Sequence, residues 1–179
     1  GDVYKRQLEP LLYPFSCSCK GYIEFARTTF FVQKLARIPD DLNSYAKLRQ
    51  ETDIPVSGGE HEYTRFGYEQ IIEKEAMDII QPDLRRCGGL SEGRRICSLA
   101  LAAGVTVIPH AYGPSHIHFA LAETAIPMIE YFPLPCWDAL PDAEVERIFH
   151  DELQPKNGRV GAPDKPGLGV TVNEKIFND

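Results

Sequence analysis

At 179 residues, 43% hydrophobic and 25% charged, the chain is long enough for one core, since a domain of about 150 residues buries roughly 70% of its unfolded surface. Nineteen basic against 26 acidic residues give a net charge of −7, and the basic ones are scattered, which argues against a nucleic-acid partner and against an anionic membrane surface. No window approaches the ~18 uninterrupted apolar residues of a membrane span.

The apolar stretch near Leu8 is interrupted by Pro10 and Pro14 and lacks a following cleavage site, so a signal peptide is not expected. Five cysteines without a CxxC pair fit reduced thiols and a cytoplasmic location. Residues 1–37 match no pattern expected of the rest, and GDVYKRQ reads like a translated sequencing adapter. That segment is expected to be non-authentic or damaged, with one weak strand candidate at 30–33.

From Ile38 the sequence alternates short β-like runs with longer helix-like ones, the pattern of βα units around a parallel sheet. Strands are predicted at 54–57, 78–81, 105–109 and 128–132, each nearly all apolar, as required when both faces are covered. Helices are predicted at 41–51, 63–75, 91–103 and 115–123, with Ser91 as an N-cap and Gly104 where a helix-ending glycine belongs. Beyond Trp137 the phrases LPDAEVERIFHDEL and GRVGAPDKPGLGVTVNE lose helical periodicity amid Gly and Pro. Residues 137–179 are therefore expected to leave the array and wrap across another surface. Four or five βα units are too few for a closed eight-stranded barrel of about 250 residues, and the GxGxxG turn of dinucleotide-binding sheets is missing. The fold class is α/β, a partial (β/α) barrel over 38–136.

Each predicted strand ends in a polar residue: Glu60 after VSGG, Asp83 after IIQP, His110 after VTVIP, and Glu130 within PMIEYF. The carboxyl ends of parallel strands face one way, so these side chains should converge on one rim. Each also has a plainer reading. Glu60 could be a helix N-terminal acid, Asp83 a turn aspartate, and His110 a satisfied core histidine. Glu130 is hardest to explain that way, because an unpaired buried carboxylate costs several kcal/mol. Together they suit metal-assisted removal of a proton beside a carboxylate. Glu60 offers a hard oxygen ligand for Mg²⁺, His110 a base oriented by Asp83, and Glu130 a neutral hydrogen-bond donor kept protonated by its apolar setting. Zinc held by His110, His116 and His118 is disfavoured, since the last two sit on the face and flank of the following helix.

The phrases PDDLNSYAKLR, IPVSGGEHEYTRFG, DIIQPDLRRCGGLSEGRRI, VIPHAYG, PMIEY and NGRVGAPDKPGLGV, in this order, resemble the enolase superfamily, mandelate racemase subgroup, and most closely its rhamnonate-type acid-sugar dehydratases. Asp83, His110 and Glu130 follow Glu60 by 23, 50 and 70 residues, offsets similar to the family's. The resemblance implies the C-terminal half of an enolase-type modified TIM barrel, Mg²⁺ as cofactor and a small sugar acid as substrate. It implies Glu60 as a metal ligand, His110 as general base, Asp83 as its dyad partner and Glu130 as hydrogen-bond donor to the substrate carboxylate. His61, in the GEH phrase, would contact the sugar chain or assist departure of hydroxide. A homo-oligomer is compatible, and 137–179 would pack on the family's capping domain.

One departure stands out. Where the family carries a glutamate pair before PDDL, this sequence reads VQKLARIPDD, with Lys34 and Leu35 at the carboxylate positions. The chain is expected to be a truncated or frame-damaged dehydratase and inactive as written. The alternatives are a racemase, epimerase or cycloisomerase of the same superfamily, or a non-catalytic fragment associating through open sheet edges.

Overall fold

The computed structural model describes residues 22–26, 40–131, 149–151 and 153–177. Helix α1 spans Leu42–Glu51, one residue later than the hydrophobic pattern suggests. Asp41 serves as its cap, accepting from Ser44 N–H at 3.1 Å and from the Ser44 hydroxyl at 2.5 Å, which satisfies an otherwise orphaned first-turn donor. Helix α2 spans Thr64–Glu73, and α3 spans Gly89–Ala103. Ser91, expected to cap α3, lies inside it. The helix starts earlier because Gly88, at φ 114°, takes a left-handed turn that only glycine enters without strain. Gly104 ends α3 in the left-handed conformation with φ 69°, its N–H donating to the carbonyls of Ala100 and Leu101. Helix α4 runs over Pro114–Ala122 with proline in its first turn, where the missing N–H costs nothing.

Between the helices lie β2 (Ser57–Gly58), β3 (Ile79–Ile80) and β4 (Thr106–Val107). They form one parallel sheet in that order, each shorter than its apolar run. Strand β5, Met128–Glu130, pairs in parallel with β1, Tyr22–Ala26, which also pairs antiparallel with β7, Arg159–Gly161. Strand β1 falls within the segment that the sequence leaves unassigned, while the weak candidate at 30–33 lies outside the described residues. Strands β6 (Phe149–His150) and β8 (Thr171–Val172) form a separate antiparallel pair, and a 3-10 helix follows at Glu174–Phe177.

The core lies between the parallel strands and their helices. Val56, Tyr68, Ile71, Ile80, Ile96 and Ile129 are each fully buried there. Helix α3 approaches its neighbours closely at Gly93, where an added Cβ would meet Leu84 at 2.8 Å and Phe119 at 2.9 Å. The C-terminal segment returns to this array. Val160 is part of the core, Tyr112 donates its hydroxyl to the Leu153 carbonyl, and the Tyr131 hydroxyl donates to Gln154 Oε1 at 2.7 Å. Among the described residues no helix is long and apolar enough to cross a membrane.

Candidate active site

The site is built from residues at or just beyond the ends of four strands. After β2 the chain turns at Gly59, φ 89°, where a Cβ would press on Tyr68 at 3.1 Å and Ile71 at 3.2 Å. The buried Tyr68 hydroxyl donates to the Gly59 carbonyl at 2.7 Å. This turn delivers Glu60, whose side chain is 12% exposed. Beyond β4, His110 N–H donates to the Pro82 carbonyl at 3.2 Å, which draws the β3 and β4 ends together.

A buried polar chain joins these ends. The Ser57 hydroxyl donates to Gln81 Oε1 at 3.1 Å, and Gln81 Nε2 donates to Glu130 Oε1 at 2.9 Å. Glu130 Oε2 accepts from Ala111 N–H at 2.9 Å. Side chains from β2, β3 and β5 and the backbone after β4 thus meet in one network. Such a network fixes a geometry because leaving any buried member unpaired is costly. His110 Nδ1 lies 2.8 Å from Glu130 Oε2 and 3.3 Å from Glu60 Oε2. The nearby Glu130 carboxylate raises the His110 pKa; burial works the other way, and the charges of Glu130, Glu60 and Asp83 add to the rise.

Three of the four expected rim residues therefore come together, with His110 in contact with both Glu60 and Glu130. The fourth is placed differently. Asp83, 4% exposed, accepts at Oδ1 from Arg85 N–H at 2.9 Å and from Arg85 Nε at 3.2 Å. Its other neighbour is His116 Nε2, at 3.5 Å, so the expected Asp83–His110 contact is replaced by one between His110 and Glu130. The physical reason is local: Asp83 closes a turn on the backbone two residues ahead, and Arg85 follows its own amide onto the same oxygen. Burial opposes ionisation of Asp83, but the Arg85 hydrogen bonds and charge outweigh it and hold the carboxyl below its ordinary value.

Glu130 also differs from expectation. Burial pushes its carboxyl up, yet His110, the Ala111 amide and Gln81 together hold it below the ordinary glutamate value. A group receiving that many donors is an ionised acceptor, not the neutral donor that its apolar strand suggests. His61 is half exposed; its Nε2 lies 3.3 Å from Glu60 Oε1, and its Nδ1 is 3.2 Å from Arg86 Nη1. Gln81 and Arg85 escaped the sequence reading, and His116 entered it only as part of the disfavoured zinc set. Gln81 could have been found as the polar residue that closes the apolar pair of IIQP.

Parallel strands that collect a histidine and carboxylates at their carboxyl ends have the arrangement found on the active-site face of (β/α) barrels. The chain belongs to the enolase C-terminal domain-like family, whose model matches residues 35–176. It is 37% identical over 151 residues to a D-galactarolactone cycloisomerase of Agrobacterium fabrum, with 79% of this chain and 39% of that protein covered. It is 36% identical over 148 residues to an L-rhamnonate dehydratase of Saccharopolyspora erythraea, with 79% of this chain and 37% of that protein covered. Among solved structures, the L-talarate dehydratase of Polaromonas sp. JS666, complexed with Mg and L-glucarate, superimposes with TM-score 0.66 at 29% identity, covering 79% of this chain and 37% of that one. The chain thus spans well under half the length of the curated relatives it matches.

The donor set tests whether Mg²⁺ fits. The ion demands near-octahedral oxygen ligation, with carboxylates, substrate and water supplying the oxygens. Among the described residues no group of three His, Cys, Asp or Glu side chains is arranged to hold an ion. Glu60 faces two imidazoles, Glu130 is filled by its donors, and Asp83 is turned to Arg85. Lys34 and Leu35, where the resemblance leads one to expect carboxylates, lie outside the described residues. These residues do not fit a resident Mg²⁺.

Proposed function

We propose that this rim is the base-bearing part of an acid-sugar dehydratase, with His110 removing the proton α to the substrate carboxylate. The observation that carries this reading is the contact of His110 Nδ1 with Glu130 at 2.8 Å and with Glu60 at 3.3 Å. A carboxylate against Nδ1 fixes the ring's tautomer and stabilises the imidazolium that forms when Nε2 takes a proton. In this reading Glu130 orients the base, Asp83 adds a negative field at the ring, and His61 faces the sugar chain. A relative solved in complex with Mg and L-glucarate supports a place for magnesium in the longer enzyme, where Glu60 would be one of its oxygen ligands; no step is assigned to it here.

By itself this chain is expected to be inactive toward sugar acids and to bind Mg²⁺ only weakly, with a positive Lys34 in place of a carboxylate. Micromolar Mg²⁺ affinity by titration calorimetry, or turnover of any sugar acid, would contradict that. The catalytic reading is tested by grafting residues 38–177 into the matching segment of the S. erythraea dehydratase and following α-proton exchange in D₂O. Exchange that disappears in a folded His110→Asn graft supports the proposal. A folded graft without exchange opposes it.

The similarity to a D-galactarolactone cycloisomerase favours one second reading, a cycloisomerase starting from the same proton abstraction. Product analysis by NMR separates them: a dehydratase gives a 2-keto acid, whereas a cycloisomerase gives an isomer of its substrate with no loss of water.

A further inference from the structure

His116 is a buried titratable group for which the proposed chemistry has no use. It sits on α4, 1% exposed, and its Nε2 has no aligned hydrogen-bond partner. An orphaned buried ring nitrogen is costly, so its surroundings should explain it. Among the described residues, the one acceptor within ion-pair distance is Asp83 Oδ1, at 3.5 Å.

The imidazole must carry its proton on one nitrogen or the other. On Nδ1, it would leave the Nε2 lone pair facing a carboxylate oxygen, two electron-rich atoms against each other without solvent between them. On Nε2, it offers that oxygen an N–H. The second arrangement is favoured, and modest relaxation of either side chain shortens the contact to an ordinary hydrogen bond.

We propose that His116 is a positioning residue, its Nε2–H pinning Asp83 Oδ1 and so fixing the orientation of that carboxylate at the end of β3. Oδ1 already receives the Arg85 amide and Nε, whereas Oδ2 has only Arg85 Nη2 at 3.5 Å. With Oδ1 pinned from both sides, Oδ2 is the oxygen left for the rim, where the charge of Asp83 acts on His110. Burial keeps the ring neutral at ordinary pH, lowering its pKa to about 4 against the pull of Asp83. The inference rests on Asp83 being a site residue, but its test needs neither substrate nor metal.

The test is long-range ¹H–¹⁵N correlation on the full chain with ¹⁵N-labelled histidine. His116 is expected in the Nε2–H tautomer, unchanged from pH 8 to pH 5.5. A folded Asp83→Asn variant should shift its Nε2 resonance. His116→Gln, which keeps a donor, should preserve the His110 ring shifts that His116→Phe perturbs. An Nδ1–H tautomer, titration near the free-histidine value, or equal perturbation by Gln and Phe would overturn the proposal. The wild-type tautomer decides the matter even if every variant fails to fold. Because no turnover is measured, a negative result here is distinct from failure of the dehydratase reading.

Discussion

Glu130 Oε2 stands 2.8 Å from His110 Nδ1, so the partner of the proposed base comes from β5 and not from the β3 end. Backbone geometry is the reason. The same carboxylate oxygen accepts the amide of Ala111, the residue next to His110, so one carboxylate holds both the ring and the turn that carries it.

That turn is strained. Ala111 is a non-glycine residue at φ 68°, in a region costing roughly 1–2 kcal/mol for a residue with a Cβ. Ala111→Gly removes that strain but adds about 0.5–1 kcal/mol of unfolded-state entropy. The variant should be more stable by about 0.5 kcal/mol in urea titration, with the Glu130 contact retained.

Gly93 has the opposite requirement. A methyl there would stand 2.8 Å from Leu84 and 2.9 Å from Phe119, and overpacking a core costs about 1–3 kcal/mol. Alanine's helix propensity returns up to about 1 kcal/mol. Gly93→Ala should therefore lose on the order of 1 kcal/mol by chemical denaturation.

The buried His116 gives stability a pH dependence of definite sign. Burial lowers its folded pKa from 6.5 to about 4, with Asp83 opposing and Arg85 and His110 reinforcing the drop. Between these values the unfolded chain binds the proton and the folded chain does not, so stability falls as the pH drops from 6.5 toward 4 and levels off below. The loss reaches about 3 kcal/mol for a shift of that size. A folded His116→Gln variant should show a shallower loss across the same window, measured as urea midpoints against pH.

How much of this was legible in the sequence depended on whether the signal was local. The apolar runs and the helix-ending Gly104 are local, and the array of helices and parallel strands follows them closely. Strand ends marked by Glu60, His110 and Glu130 were legible because a polar residue in a buried run needs a reason. The partner of His110 was not, because Asp83 and Glu130 are both carboxylates at strand ends, and only the turn at Arg85 decides which of them is engaged elsewhere. Strand β1 escaped because its partners, β5 and β7, lie more than 100 residues away in sequence, and no periodicity reports a pairing at that range.

The central claim is that His110 and Glu130 act on each other at a common rim, and a double-mutant cycle measures this most directly. His110→Asn, Glu130→Gln and the double variant would be compared by urea denaturation at pH 6. The account predicts a coupling of roughly 0.5–3 kcal/mol, as for residues sharing one ionic contact. Additive effects, with a coupling indistinguishable from zero, would contradict it.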